Sequence, residues 1–217
     1  MGKIFYIMGK SASGKDKIHG ILLQDKELEL ADLILYTTRP IRSGETGGQQ
    51  YHFVDEAALD KFRAAGKVIE ERTYQTIAGP WTYCTVDEGL DLEHTDYLAI
   101  GTLVSYGKLR SYYGADRVLP VYISVSDENL LLRAMKREKK QEIPRYQEMC
   151  RRFLADSEDF SEEKILEAGI IRRFANDGEL GDCISEIREY ILANKRPEVE
   201  NLPWMNGATE VSSDTRT

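Results

Sequence analysis

The chain has 217 residues, 41% of them hydrophobic and 30% charged, enough for one sizeable domain or two small ones and too polar for a chain of membrane spans. Lys+Arg 29 against Asp+Glu 37 leaves a net charge of -8, which excludes the broad basic footprint of a nucleic-acid binder. The longest nearly apolar stretch, around residues 97–106, is far short of the roughly 18 residues a bilayer span demands.

The first segment, Ile4 to Met8, is a short apolar run of β-formers followed at once by small residues from Gly9 to Asp16, so a strand and a loop are expected. Its apolar part is too short for a secretory signal and no small-residue cleavage site follows, which predicts a cytoplasmic location. Ile18, Ile21 and Leu22 then recur at helical spacing up to about Gln24. Leu33 to Tyr36, Tyr97 to Ile100 and Val118 to Val125 read as further buried strands, with enough chain between them for crossover helices. A parallel α/β sheet follows from that alternation.

Asp55 to Ala65 reads as a helix, and Lys67 to Arg72 and Trp81 to Val86 as short strands of an inserted region. Ser126 or Asp127 can cap a helix through Leu130, Leu131 and Ala134 into the charged run Arg133 to Lys140. Pro144 restarts the chain at a helix N-terminus leading to Arg151, Arg152 and Phe153. Leu180, Ile184, Ile187 and Ile191 form the stripe of a last amphipathic helix. From Pro197 to Thr217 apolar periodicity vanishes and a flexible tail is expected, with Trp204 as its one oddity. Cys84, Cys150 and Cys183 form no disulfide or zinc spacing, and His19, His52 and His94 lie near no ligand-spaced partner.

Two stretches carry chemistry. Gly9-Lys10-Ser11-Ala12-Ser13-Gly14-Lys15-Asp16 matches the G-x-x-x-x-G-K phosphate loop but ends in Asp where Ser or Thr is usual. Placed between a strand and a helix, its backbone N–H groups converge on phosphate oxygens and Lys15 reaches the β- and γ-phosphates, whereas the bland alternative is an ordinary glycine turn. Asp16 stands where a hydroxyl normally meets Mg²⁺, and its carboxylate is itself a hard oxygen donor for the metal. The second stretch is Thr37-Thr38-Arg39-Pro40-Ile41-Arg42-Ser43-Gly44-Glu45, followed by Gly48, Tyr51, His52, Phe53 and Val54. Two arginines three apart offer planar forks for an anion and Tyr51 adds a hydroxyl donor, the alternative being a solvated loop.

Together these stretches closely resemble the guanylate kinase family, whose T-T-R-x-x-R-x-G-E-x-x-G-x-x-Y-x-F signature the second reproduces almost letter by letter, over about residues 3–193. The resemblance implies an α/β fold: a P-loop NTPase core whose parallel sheet is flanked by helices, an inserted monophosphate-binding region at about 37–90 and a helical lid at about 133–155. It implies a phosphotransferase moving the γ-phosphoryl of ATP to GMP, with Mg²⁺ as cofactor, small nucleotides as partners, no nucleic acid or membrane partner, and a monomer or homodimer. By resemblance Gly9 to Asp16, Arg133 and Asn176 bind ATP, and Arg39, Arg42, Tyr51 and Tyr83 hold the GMP phosphate. Glu70 faces guanine, whose N1–H and amino group are both donors that one carboxylate accepts, and Thr85 contacts the base although Cys84 replaces the usual Gly. Lys15, Arg42, Arg137 and Arg152 form the catalytic set, since phosphoryl transfer is positioning plus cationic clamps.

The chain also departs from the pattern. Leu98-Ala99-Ile100-Gly101-Thr102 lacks the acidic residues the family usually carries there, and Leu35 and Tyr36 stand where a small hydroxyl residue often precedes Thr-Thr-Arg. Asp16 is then the remaining metal carboxylate. A kinase for another (deoxy)nucleoside monophosphate and a catalytically inactive binding module are the alternatives. A P-loop GTPase is discounted, because the nearest guanine motif, Asn194-Lys195-Arg196-Pro197, ends in Pro.

Overall fold

The computed structural model describes residues 1–76 and 79–195, so the expected tail at 197–217, with Trp204, lies outside the described residues. Among the described residues five parallel strands form the main sheet: β1 (Ile4–Met8), β2 (Leu30–Asp32), β7 (Asp96–Gly101), β8 (Val118–Ser124) and β9 (Arg173–Ala175), in the order β2-β7-β1-β8-β9. Every residue of β1 is buried because the strand is covered on both faces, which is why it reads as a continuous apolar run. Ile4, Tyr6 and Met8 pack with Tyr106 and Leu109 of α3 (Leu103–Tyr113). Phe5 and Ile7 pack with Ile18 and Leu22 of α1 (Lys15–Gln24) and with Ile187 and Ile191 of α7 (Leu180–Asn194). The stripe expected on the last helix is thus the face that covers the sheet.

A second sheet, order β4-β3-β6-β5, is built from β3 (Tyr36–Thr37), β4 (His52–Phe53), β5 (Val68–Thr76) and β6 (Gly79–Val86). Its small core of Leu59, Cys84 and Val86 sits under α2 (Glu56–Ala64), whose first turn Asp55 caps by accepting from the Ala58 N–H at 2.7 Å. The expected short strands at 67–72 and 81–86 are arms of one longer antiparallel hairpin. The expected strand Leu33 to Tyr36 is corrected: β2 stops at Asp32 and β3 starts at Tyr36 in the other sheet. The run between them changes sheets, Leu33 N–H donating to Leu98 of the first and Leu35 C=O accepting from His52 of the second.

The remaining helices are α4 (Asp127–Glu138), α5 (Tyr146–Asp159) and α6 (Glu162–Glu167). Ser126 caps α4, whereas Pro144 lies two residues ahead of α5 rather than in its first turn. Among the described residues no helix is long and apolar enough to cross a membrane.

Candidate active site

The loop Gly9 to Gly14 leaves β1 at its carboxyl end, with β7 on one side and β8 on the other, and enters α1. Ligands of open α/β sheets bind outside the carboxyl ends of strands, and a helix N-terminus there offers free N–H groups. Gly14 is the cap residue of α1 at φ +89°, a left-handed conformation that a side chain disfavours. Asn176, 3% exposed, donates from Nδ2 to the Ser13 carbonyl at 2.8 Å and fills the space in which a Cβ on Gly14 would stand. Arg133 Nη2 donates to the Asn176 carbonyl at 2.7 Å. Asn176, just past β9, therefore braces the loop, and Arg133 of the helix 127–138 braces Asn176 in turn.

Lys15 and Asp16 open α1, with Lys15 Nζ 3.5 Å from the exposed Asp16 carboxylate, and Lys10 pairs with Asp127 at 3.0 Å. Lys15 lines a cavity of about 380 Å³ together with Gly9, Ser11, Arg72, Thr102 and Asp156. Into this cavity α5 sends Asp156, whose carboxylate accepts from the Ser11 N–H. Among the described residues no group of three or more His, Cys, Asp or Glu side chains is arranged around a metal position. A magnesium ion carried on nucleotide phosphates needs only one or two protein carboxylates, so Asp16 in the first turn of α1 fits that modest requirement.

The second sheet supplies the other wall. Side chains two apart on a strand share a face, and the register of β5 with β6 stacks three rungs on one face: Glu70 opposite Thr85, Arg72 opposite Tyr83, Tyr74 opposite Trp81. Glu70 is 8% exposed; its Oε1 accepts from the Thr85 hydroxyl at 3.1 Å and its Oε2 lies 3.2 Å from Arg72 Nε. The Arg72 contact is an ion pair rather than an aligned hydrogen bond, since Nε is buried without a hydrogen-bond partner. Tyr51, Leu35 and the Arg72, Tyr74, Tyr83 and Trp81 side chains enclose about 360 Å³ beside this face.

At its edge the signature loop folds on itself. Arg39, only 3% exposed, donates through Nη1 and Nη2 to the two oxygens of Glu45 at 3.0 and 2.8 Å and lies over the rings of Tyr51 and Phe53. Glu45 holds the Arg39 guanidinium above its ordinary pKa, and that guanidinium with the Arg42 N–H holds the Glu45 carboxyl below its own. Tyr51 and Tyr83 rings meet at 5.6 Å, so Arg39, Tyr51 and Tyr83 converge, while the Arg42 side chain stands exposed at the rim. Burial pushes the Tyr51 phenol up, keeping it a neutral donor.

Arg137 and Arg152 are not beside Lys15. They line a separate cleft of about 410 Å³ between α4 and α5, where Arg152 Nε donates to Glu148 at 2.8 Å. Arg151 and Arg152 together pull the Glu148 carboxyl down to about 2.

The chain's departures on β7 have a structural counterpart. A Cβ built on Gly101 would lie 2.0 Å from the Tyr6 hydroxyl, so a tyrosine on β1 fills the space of any side chain there. Sequence reasoning missed Tyr6, Arg72 and Asp156; only Arg72 left a signal, since residues 70, 72 and 74 of one strand share a face.

The sequence model of the guanylate kinase family matches residues 1–167. Guanylate kinases of Chromobacterium violaceum and Cupriavidus metallidurans are 35% and 40% identical over 98 and 99 residues, 42% of this chain in each case. Those alignments span under half of each relative, 45% and 44% of its length. A ribose 1,5-bisphosphate phosphokinase PhnN of Dickeya zeae is 28% identical over 202 residues, 90% of this chain and 96% of that protein. A crystal structure of guanylate kinase from Anaplasma phagocytophilum superposes with a TM-score of 0.61 at 18% identity, covering 91% of this chain and 88% of that one, which establishes likeness of fold.

Proposed function

Because the chain belongs to the guanylate kinase family, we propose that it transfers the γ-phosphoryl of ATP to the phosphate of GMP, forming GDP and ADP. The observation that carries this reading is the ligand-facing side of the β5–β6 hairpin, with Glu70 and Thr85 at one end and Tyr83 beside Arg39 and Tyr51 at the other. A carboxylate that accepts from guanine N1–H and its amino group suits the first end; two hydroxyl donors and a buried guanidinium suit a phosphate at the second. Arg72 borders both this cavity and the one with Lys15, so the two cavities adjoin, as transfer between a donor and an acceptor phosphate requires.

Within that frame Lys15 and the loop N–H groups hold the β- and γ-phosphates, and Asp16 holds the magnesium ion the family generally uses with ATP. The metal supplies charge neutralisation on the phosphates. Asn176 and Arg133 keep the loop in its binding shape. Arg42 closes over the acceptor phosphate from the rim, and Arg137 and Arg152 are brought to the equatorial oxygens when the α4–α5 lid closes and excludes water.

A coupled assay of ADP formation with MgATP and GMP, dGMP, AMP or UMP tests the reading. GMP-dependent ADP that disappears in Arg39→Ala is expected; ADP formation indifferent to GMP refutes it. A second acceptor belongs in the panel. Gly101 carries no carboxylate and Arg72 brings a cation into the cavity, and both observations favour a sugar bisphosphate such as the substrate named in the PhnN relative.

A further inference from the structure

Arg72 occupies the middle rung of the ligand-facing ladder, directly opposite Tyr83 and between Glu70 and Tyr74 on its own strand. Its neighbours at the two ends of that face have roles in the reading above, whereas Arg72 walls the cavity with no partner yet assigned to its free guanidinium end. Its side chain is fixed at one end, with Nε 3.2 Å from Glu70 Oε2 and buried, so the Nη groups are the free end of the fork. Nη1 lies 3.5 Å from Thr102 Oγ1, at the outer limit of a hydrogen bond, and Nη2 has no hydrogen-bond partner among the described residues. The same side chain lines the cavity with Tyr51 and Trp81 and the cavity with Lys15. A planar guanidinium tethered by a carboxylate, on a side chain that lines two adjoining cavities, is an oxygen-binding device.

We propose that Arg72 is a specificity-determining residue of the acceptor site, donating to an oxygen that the acceptor carries away from the phosphate being phosphorylated. The inference rests on the phosphoryl-transfer reading. Glu70 alone would select a donor-bearing edge; Glu70 with Arg72 selects a group that offers an oxygen beside it. Two sources share that chemistry, the 6-oxo group of a purine and the second phosphate of a sugar bisphosphate, whereas the amino edge of adenine does not offer it. Gly101 reinforces the point, because the Tyr6 hydroxyl leaves no room at that wall for a carboxylate that would counter the guanidinium.

The test measures kcat and KM for GMP, IMP, AMP and ribose 1,5-bisphosphate, and the Kd of each by calorimetry, on the wild-type chain, Arg72→Gln and Arg72→Met. The double variant Arg72→Met, Glu70→Gln removes both charges and covers the case in which a lone buried carboxylate unfolds the single variant. The expected result is that KM and Kd of the preferred acceptor rise about tenfold to a hundredfold, the scale of a lost charge-assisted bond, while kcat and the KM of ATP stay within about twofold. The relative use of AMP should rise. Joint loss of GMP and IMP assigns the oxygen to the base; loss confined to ribose 1,5-bisphosphate assigns it to a second phosphate. KM of the preferred acceptor unchanged in the variants, or a fall in kcat alone, overturns the proposal, as does wild-type turnover of AMP equal to that of both GMP and ribose 1,5-bisphosphate. Acceptor binding without ADP formation sinks the transfer reading only, and the Kd ratio then decides on Arg72. Binding of none of the four overturns both.

Discussion

Gly101→Ala should destabilise the protein through one contact. The glycine lies on the carboxyl-terminal end of β7 without a left-handed φ, so alanine meets no backbone obstacle and by itself would stabilise by about 0.4–1 kcal/mol through the unfolded chain. Its Cβ, however, lies 2.0 Å from the Tyr6 hydroxyl and 3.0 Å from Tyr6 Cζ. Tyr6 is 3% exposed and its ring lies against Tyr106 at 5.9 Å, so it has nowhere to retreat. Forcing a methyl into such a site costs about 1–3 kcal/mol, leaving a net loss of about 1–2 kcal/mol. For a domain of this size that is a fall in Tm of about 2–8 °C. Tyr6→Phe removes the hydroxyl and its bond to Ser105 at a cost of about 1 kcal/mol, and also the worst of the overlap. Urea denaturation of the wild-type chain, both single variants and the double variant closes a thermodynamic cycle. A favourable coupling of about 1 kcal/mol is expected. A neutral Gly101→Ala, or strictly additive variants, would show that the tyrosine does not hold this space.

Asp156→Asn removes a negative charge from the cavity shared with Lys15 while leaving an oxygen for the Ser11 N–H, so MgATP should bind about threefold to tenfold tighter by calorimetry. Weaker binding would mean that the carboxylate supports the loop instead of opposing the nucleotide. Burial pushes the Cys84 thiol up to about 12 and the Cys183 thiol up to about 11, whereas Cys150 is exposed; a thiol reagent at pH 8 should label Cys150 in the native protein and all three in denaturant. Rapid native labelling of Cys84 would contradict its burial. Glu45, Glu148 and Asp177 have folded pKa values below their ordinary ones through their Arg, Asn and Ser partners. Their stabilising contribution is therefore complete above pH about 4.5 and is lost as pH falls toward the depressed values, about 2 for Glu148, so the urea midpoint should decline between pH 5 and 3. A flat midpoint across that range would refute the pairing.

The core of the fold was legible because β1, β7 and β8 are buried on both faces and so read as continuous apolar runs. The same cue misled at Leu33 to Tyr36. Those residues are apolar because they pass between two sheets, and burial against both leaves the signature of one strand. At residues 97–106 the apolar run conceals a change from strand to helix at Thr102, whose hydroxyl accepts from the Ser105 N–H to start α3. β9 has a single buried residue, Phe174, and exists through pairing with β8, which no local pattern announces.

For the candidate site, contiguity in sequence decided what could be read. The phosphate loop and the Arg39 stretch are each assembled by neighbours along the chain, so their groups meet wherever the loop folds. Arg72 and Asp156 gain meaning only from partners across the fold: Arg72 from its rung with Tyr83 and its reach to Thr102, Asp156 from an N–H 145 residues away. Both bear charge where an acceptor or a nucleotide phosphate would come. In a chain with 30% charged residues a lone Asp on a helix carries no signal of its own, and Arg72 offers only the face it shares with residues 70 and 74. The site chemistry that local pattern does not announce therefore sits in long-range pairs, and substitutions there should change acceptor use at Arg72 and nucleotide affinity at Asp156 while leaving the two recognisable loops intact.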